Sequence, residues 1–527
     1  MSYKVCIPTA GTGSRLGGLT RYLNKSLVSI ANRPTICHLI EQFPVNARFV
    51  IALGYKGNLV KEFLELAYPD RDFDFAYVDP FEGEGSGLGL SLLACKQYLL
   101  EPFVFISCDT LVDEAIPPPE KNWMGYAEIQ EPDQYRTLAL ANDKVVDIHE
   151  KGVGGIAGYK PYIGLAGIAD FKTFWLAMES GGIAGIQMGE AHGLRALLPS
   201  GIEAKSFTWC DTGNIEALNK TREIYREPDE PNILEKANEA IWFVGECAIK
   251  FSDDKKFIAN RVERAKVLEG FVPSIVGRGL NMYSYSKVEG SVFSDVVNLP
   301  LFEKLLKHST KFWRLNQLSD EERKSFKEKC MHFYRDKTYD RVELFYKNFS
   351  RMDGAESING IEMPLLKELL DAVDWCWLAD GLAGRFHGDF HFENIIWSKE
   401  EDKFTFLDWR QDFGGQLYLG DIYYDLAKLR HGLIVSHEII CDERYFILRN
   451  PREIIMDFNR KQILVECENF FEEYVQSVGY DLRKINFLTS LIFLNIAALH
   501  HQPYADLLFY LGKSLLRKSL TYELRHS

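Results

Sequence analysis

At 527 residues the chain is too long for one ordinary core, so two or three domains are expected. Its make-up, 46% hydrophobic, 26% charged and 13% aromatic, is that of a soluble globular protein. A formal charge of −14 excludes general nucleic-acid binding, which needs a basic footprint, while leaving room for a small anion in a local positive pocket.

From the start, short apolar runs alternate with helical patterns. "YKVCIPTA", "ARFVIALG", "FDFAYVD" and "FVFISCD" read as strands, and "PTICHLIEQF", "NLVKEFLELAY" and "GLGLSLLACKQYLL" as the helices between them. This alternation predicts a Rossmann-like α/β domain over residues 1–226, with a mostly parallel sheet and helices on both faces. "YREPDEPN" (225–232) breaks the pattern with two prolines among acids, so 227–236 is expected to be a linker. Residues 237–300 offer strand-like "AIWFVGECAIKF" and "NMYSYSKVEGSVF" around a helical "KKFIANRVERAKVLEG"; residues 301–527 are mainly helical. A second domain over 237–527 is therefore expected, a small sheet lobe followed by a larger helical one.

Ten cysteines are scattered singly, as in a reducing cytoplasm. "MSYKVCIPTAG" lacks the charged and apolar regions of a signal peptide. "FLTSLIFLNIAAL" (487–499) is too short to span a bilayer and suits a buried helix. A cytoplasmic protein without membrane insertion is expected.

"IPTAGTGSRLGGLTRYLNKSLVSIANRPTI" (7–36) crowds glycines and cations behind the first strand. Gly11 and Gly13 allow backbone N–H groups close to a phosphate, and Arg15 and Lys25 are the usual phosphate partners. An ordinary turn flanked by two solvated charges is the bland alternative. Asp109 ends "FVFISCD", and Asp211 follows an apolar run in "FTWCDTGNIEALNK". Carboxylates from two strand ends can hold a Mg²⁺ that bridges phosphates, although Asp211 could instead cap a helix.

In order, "GTGSRL", "NKSLVSIANRPTI", "ALGYKGNLVKEFL", "ISCD", "EKG", "LAGI" and "WCDTGNIEAL" make residues 1 to about 225 resemble a nucleotidyltransferase family. Its members make nucleotide-sugars and CDP-alcohols from an NTP and a phosphomonoester. The resemblance implies that Gly11, Gly13 and Arg15 hold the triphosphate, that Lys25 steadies charge at the α-phosphorus, and that Asp109 and Asp211 bind Mg²⁺. It also implies that Lys151 grips the acceptor's phosphate, that Gly167 lines that pocket, and that the stretch from Gly85 meets base and ribose. Asn24 and Gly152 stand where the family carries proline.

In the second half, "HGDFHFENIIW" sets Asp389 and Asn394 five apart, and "FTFLDWRQDFGG" ends a strand in Asp408. This is a phosphoryl-transfer layout, with one aspartate to take the hydroxyl proton and two residues for metal ions on ATP. Lys250 lies on a strand and Glu263 on a helix, as a candidate ion pair. A catalytic serine–histidine or metal-cluster role for His387 and His391 finds no further ligands at metal spacing. These motifs, with "YLGDIYYDLAKLR" (418–430), resemble the aminoglycoside phosphotransferase and choline kinase family. That resemblance implies a bilobal protein-kinase-like α+β fold in which Lys250 and Glu263 bind ATP, Asp389 is the base, and Asn394 and Asp408 bind Mg²⁺. Arg410 stands where an acid is common.

The two sites together imply sequential chemistry: a small alcohol or sugar is phosphorylated by ATP and then joined to a nucleotide, CTP being favoured, as a precursor for surface polysaccharide or lipopolysaccharide. The expected partners are the NTP, ATP, the acceptor and its phosphate, with homo-oligomer formation allowed. Alternatives are a choline kinase with cytidylyltransferase, a UTP-type sugar-1-phosphate salvage enzyme, and a nucleotidyltransferase carrying a non-catalytic kinase-like module. Trp375, Trp377, Tyr423 and Tyr424 are candidates for a choline cage, or else core aromatics.

Overall fold

The computed structural model describes residues 3–128, 134–152, 158–226 and 237–526. They form two compact units: residues 1–258 with 275–287, and residues 259–274 with 288–527.

The first unit is built on a nine-stranded sheet whose spatial order is Phe73–Tyr77, Arg48–Leu53, Lys4–Pro8, Phe103–Ile106, Lys160–Ile168, Trp123–Tyr126, Ile202–Ser206, Lys144–His149 and Thr137–Ala141. The first four strands are parallel. Lys160–Ile168 then runs antiparallel to both of its neighbours, so the sheet is mixed beyond that point. Alternate side chains go to opposite faces. Val5, Ile7, Phe49 and Ile51 join one core; Cys6, Val50 and Ala52 join the other. Helices Thr35–Glu41 and Gly57–Ala67 supply Ile36, Leu39, Val60 and Phe63 to the first core, and Leu88–Cys95 supplies Leu92 to the second. Two such cores require apolar strands throughout, as the sequence provides.

The linker expected at 227–236 lies outside the described residues. The strands that follow, expected as the small lobe of the second half, form a four-stranded antiparallel sheet that belongs to the first unit: Glu239–Val244, Cys247–Ser252, Met282–Ser286 and Ile275–Arg278. The cause is apolar burial. Trp242 packs edge-on against Phe63 at 5.1 Å and donates its indole N–H to Ser29 Oγ at 2.9 Å, while the Glu62 carboxylate accepts from the Asn281 N–H at 2.8 Å.

The second unit is mainly helical. Its longer helices are Leu299–Phe312, Asp320–Met331, Lys337–Asn348, Ile422–Ile434, Gln462–Ser477, Leu482–Ala497 and Tyr504–His526. The apolar run at 487–499 falls largely in buried Leu482–Ala497. No helix among the described residues is long and apolar enough to cross a membrane. Hairpin Ile395–Ser398 and Lys403–Phe406 carries the loops that bear the second candidate site.

Candidate active sites

In the first unit Asp109 follows strand Phe103–Ile106, at the carboxyl edge of the parallel ladder. A short ladder brings Asp211 to it: Trp209–Asp211 pairs antiparallel with Thr110–Val112, setting Asp211 opposite Thr110, and the Thr212 N–H donates to the Asp109 carbonyl at 3.0 Å. Both carboxylates and Arg15 then face one point. A methyl group built on Gly213 would stand 3.0 Å from Asp211 Oδ1, 3.2 Å from Asp109 Oδ2 and 3.4 Å from Arg15 Nη2. Lys25 Nζ lies 3.2 Å from Asp109 Oδ2.

Electrostatics separates the two carboxylates. Burial works against charge on Asp109, but Lys25 and then Arg15 hold it below the ordinary carboxylate range. Asp211 is pushed up by burial, opposed by the Gly213 N–H, and pushed further by Asp109. Burial also opposes charge on Lys25, yet Asp109 and Cys108 raise it above its usual range, so it stays an ammonium. Asp211 does not cap the following helix: Asn214 does, accepting from the Ala217 N–H. The pair fits Mg²⁺, because each carboxylate faces a like charge that a cation would relieve. Among the described residues no group of three or more His, Cys, Asp or Glu could hold a metal ion, so phosphate oxygens would complete the shell.

Asn24 fixes the cation loop. Fully buried, it accepts from the Ser26 N–H and donates to the carbonyls of Thr9 at 2.9 Å and Tyr55 at 2.6 Å. Hydrogen bonding by this amide thus holds the turn that carries Lys25. At Gly13 φ is +67°, and a Cβ would press on Lys25 and Thr20.

Arg15, Lys25, Asp109 and Asp211 line a cavity of about 390 Å³ with Gly11, Ser86, Gly87, Lys151, Gly164, Arg136, Tyr135 and Glu190; Gly13 is not in the lining. Gly11, Arg15, Lys25, Asp109, Lys151 and Asp211 are therefore brought together. Gly85 is not in the lining; it is a turn residue with φ +82° ahead of Ser86 and Gly87, which are. Gly167 is also outside it, because its missing side chain makes room for the Trp123 indole; Gly164, three residues earlier, lines the cavity. Sequence reasoning missed Tyr135, whose hydroxyl donates to Asp211 Oδ2 at 3.0 Å, and Arg136, which reaches Glu150 at 3.0 Å and Glu190 at 3.7 Å. Both follow residues 129–133, which lie outside the described residues, and the segment carries no recognisable motif.

The second site lies in the helical unit. Asp425, on helix Ile422–Ile434, accepts the backbone N–H groups of His387 and Gly388, both at 2.6 Å, and the Trp313 indole N–H at 3.0 Å. Burial nevertheless pushes Asp425 up to about 6. His387 is itself buried, its ring against the Leu407 carbonyl at 2.8 Å, and burial brings it down to about 3, so it shapes the loop as a neutral ring. Asp389 Oδ1 meets Lys428 Nζ at 2.7 Å and Asp389 Oδ2 lies 3.6 Å from His391 Nε2. Burial disfavours its charge, but Lys428 and His391 keep it well below the ordinary range. Asn394 Nδ2 donates to the Asp389 carbonyl at 2.9 Å, and the Leu407 N–H donates to the Asn394 carbonyl at 2.7 Å, pinning the strand end that carries Asp408.

Asp389, Asn394 and Asp408 are thus assembled on adjoining loops. Lys250 sits on a strand of the first unit, opposite Ile241 and Tyr283, and Glu263 pairs with Lys266 one turn along its helix at 2.6 Å. Two arginines unnoticed in the sequence serve this loop cluster. Arg261 Nη1 meets Asp408 Oδ1 at 2.8 Å, and buried Arg264 donates to the carbonyls of Phe386, Arg410 and Leu417. Lys428 could have been found from helical spacing, being three residues after Asp425 in "YYDLAKL".

The profile of the phosphotransferase enzyme family matches residues 355–443. Bifunctional protein GlmU of Methanococcus maripaludis is 22% identical over 146 residues, 27% of this chain and 34% of that protein. The chain spans about a third of the length of the curated relatives it matches. Among solved structures, UDP-glucose pyrophosphorylase from Acinetobacter baumanii aligns at 17% identity over 44% of this chain and 96% of that one, TM-score 0.37. CTP:phosphocholine cytidylyltransferase from Streptococcus pneumoniae aligns at 16% over 43% and 100%, TM-score 0.36. The first half of the chain resembles nucleotidyltransferases and the second resembles small-molecule phosphotransferases.

Proposed function

We propose that the chain is a bifunctional enzyme that phosphorylates a small alcohol or sugar and then converts the phosphomonoester to an NDP-activated compound, with CTP the favoured nucleotide and a surface glycan the destination. The observation that carries this reading is the convergence of Arg15, Lys25, Asp109 and Asp211 on one cavity, in a chain that also assembles Asp389, Asn394 and Asp408. In the first unit an oxygen of the acceptor's phosphate attacks the α-phosphorus of the NTP. The bond from that phosphorus to the bridging oxygen breaks, and pyrophosphate leaves with the electron pair. Lys25 and Arg15 stabilise the charge that grows there, and Lys151 with Arg136 holds the acceptor. Mg²⁺ on Asp109 and Asp211, when bound, would neutralise the phosphates. In the second unit Asp389 orients the acceptor hydroxyl, with Asn394 and Asp408 as the residues that would hold Mg²⁺ on ATP.

The test crosses four NTPs, with ATP and Mg²⁺, against alcohols and their phosphates, following ADP and pyrophosphate separately. Pyrophosphate release that needs a phosphomonoester, and ADP release that needs its free alcohol, are expected; wild-type pyrophosphate release by Lys25→Ala and Asp109→Ala overturns the first activity. One observation favours a second reading, a non-catalytic kinase-like module: Arg261 occupies the Asp408 carboxylate. In that case no alcohol elicits ADP, from the wild type or from Arg261→Ala.

A further inference from the structure

The family resemblance leaves the acceptor of the second site unnamed, but the side chains around Asp389 restrict it. On helix Lys337–Asn348, Lys337 and Arg341 share a face, being four residues apart. The Lys337 ammonium stands 4.3 Å from the centre of the Phe333 ring, and the Arg410 guanidinium 5.0 Å from the same centre. Arg410 is pressed against the Gly388 backbone, next to Asp389, where a Cβ on Gly388 would meet the Arg410 side chain. Among the described residues Arg410 Nε is buried without a hydrogen-bond partner, and neither Lys337 nor Arg410 has a carboxylate in ion-pair contact. Lys428 adds a further cation on Asp389 itself. Half-buried basic side chains crowded together are costly to charge, and an anion supplied from outside is the arrangement that relieves them.

The same residues argue against a quaternary ammonium. Trp375 donates its indole N–H to the Leu370 carbonyl, Trp377 packs on Phe487 with Arg483 at 4.9 Å over its ring, and the Tyr423 hydroxyl accepts from the Asp481 N–H. Tyr424 packs against Phe333, whose ring already faces two cations. None of these four aromatics is left to cage a quaternary ammonium at Asp389.

Accepting the second unit as a kinase, we propose that its acceptor carries an anionic group of its own, a carboxylate or a phosphate, held by Lys337, Arg341 and Arg410 while the acceptor's hydroxyl faces Asp389. The hydroxyl oxygen attacks the γ-phosphorus of ATP and its proton passes to Asp389. The bond from the γ-phosphorus to the β,γ-bridging oxygen breaks, and ADP leaves with the electron pair. The product is a phosphomonoester with a second anionic group, which differs from the products of kinases acting on choline or on neutral sugars.

The test is calorimetric binding to the full chain, with Mg²⁺ and a non-hydrolysable ATP analogue already bound. The probes are glycerate, inorganic phosphate, glycerol and choline. Glycerate or phosphate should bind while glycerol and choline do not. Lys337→Met and Arg341→Met should each weaken the anion by roughly tenfold or more and leave analogue affinity within about twofold. The proposal fails if neither anion binds, if glycerol or choline binds as tightly, or if the variants lose the analogue instead, which would make the cations ligands of the γ-phosphate. Anion binding that survives without ADP formation from any hydroxy acid would uphold the anion site and sink the kinase reading, so the two failures are separable.

Discussion

The Asn24 side-chain amide donates to the carbonyl oxygen of Thr9, joining the turn that carries Lys25 to the end of the first strand. The same amide reaches Tyr55, and its oxygen takes the Ser26 N–H. Replacing Asn24 by Ala leaves two carbonyls and one N–H without these partners in a buried place, at a cost of about 1–3 kcal/mol. A lower melting temperature and a reduced rate of pyrophosphate release are expected together. Asn24→Asp should be worse than Ala, since a carboxylate would then face two carbonyl oxygens. A variant that melts like the wild type would show that the turn does not depend on these bonds.

In the proposed reaction Lys25 and Asp211 act at different points. Loss of the Lys25 ammonium in Lys25→Met removes charge stabilisation at the α-phosphorus, so kcat for pyrophosphate release should fall by about 10²–10³. Asp211→Asn keeps an acceptor oxygen for only one of its two donors, the Gly213 N–H or the Tyr135 hydroxyl, and halves the negative charge that faces a metal ion. Its defect should therefore shrink as Mg²⁺ is raised, whereas that of Lys25→Met should not. Equal behaviour of the two variants in an Mg²⁺ titration would refute this division.

The strands and the order of motifs were legible because a two-sided sheet needs continuous apolar runs, and phosphate sites need glycine and cations at strand ends. Asp109, Asp211 and Lys25 could be placed on that ground, Lys151 only through the family resemblance, and the structure gathers all four in one cavity. Gly167 could not be told from Gly164 by sequence: both lie in "IGLAGI", and only the packing shows that one makes room for Trp123 while the other lines the cavity. Tyr135 and Arg136 come to their site through tertiary contacts with no local pattern of their own, whereas Lys428 shares a helix face with Asp425. The strands at 239–286 read as a sheet from alternation, yet which core they join was decided by Trp242 meeting Phe63, a contact between residues far apart in the chain.

Arg264 offers a test of how the second site is held. Its guanidinium is buried, lies 3.9 Å from the centre of the Phe386 ring and donates to carbonyls on both loops of the second candidate site. Burial pulls it down to about 9, partly offset by Asp425. Arg264→Met should destabilise by about 3–5 kcal/mol, since the carbonyls lose their donor and Asp425 loses a facing charge. In a chain of two compact units, differential scanning calorimetry should show one transition shifted down, with pyrophosphate release intact below it. Unchanged melting would mean that water replaces the arginine at no cost.

Lys337 gives the anion site a pH signature. Burial first, then Arg410, Lys428 and Arg341, bring its amine down to about 6, with Asp389 opposing them. In the unfolded chain the amine has its ordinary value, near 10.5. Between those two values the unfolded state binds the extra proton, so this group makes stability rise with pH across that window. Below about 6 the amine is charged in both states and the penalty is fully present. Lys337→Met removes the penalty, so the variant should melt above the wild type, by most at or below pH 6 and by progressively less toward pH 10. Phosphate binding should reverse the sense of the shift: the anion favours the ammonium, so at pH 8 the wild type should take up a proton on binding, seen as a binding enthalpy that changes between buffers of different ionisation heat. A buffer-independent enthalpy in the wild type, or a melting difference that does not change with pH, would show that Lys337 is not a cation held out of water for an anion.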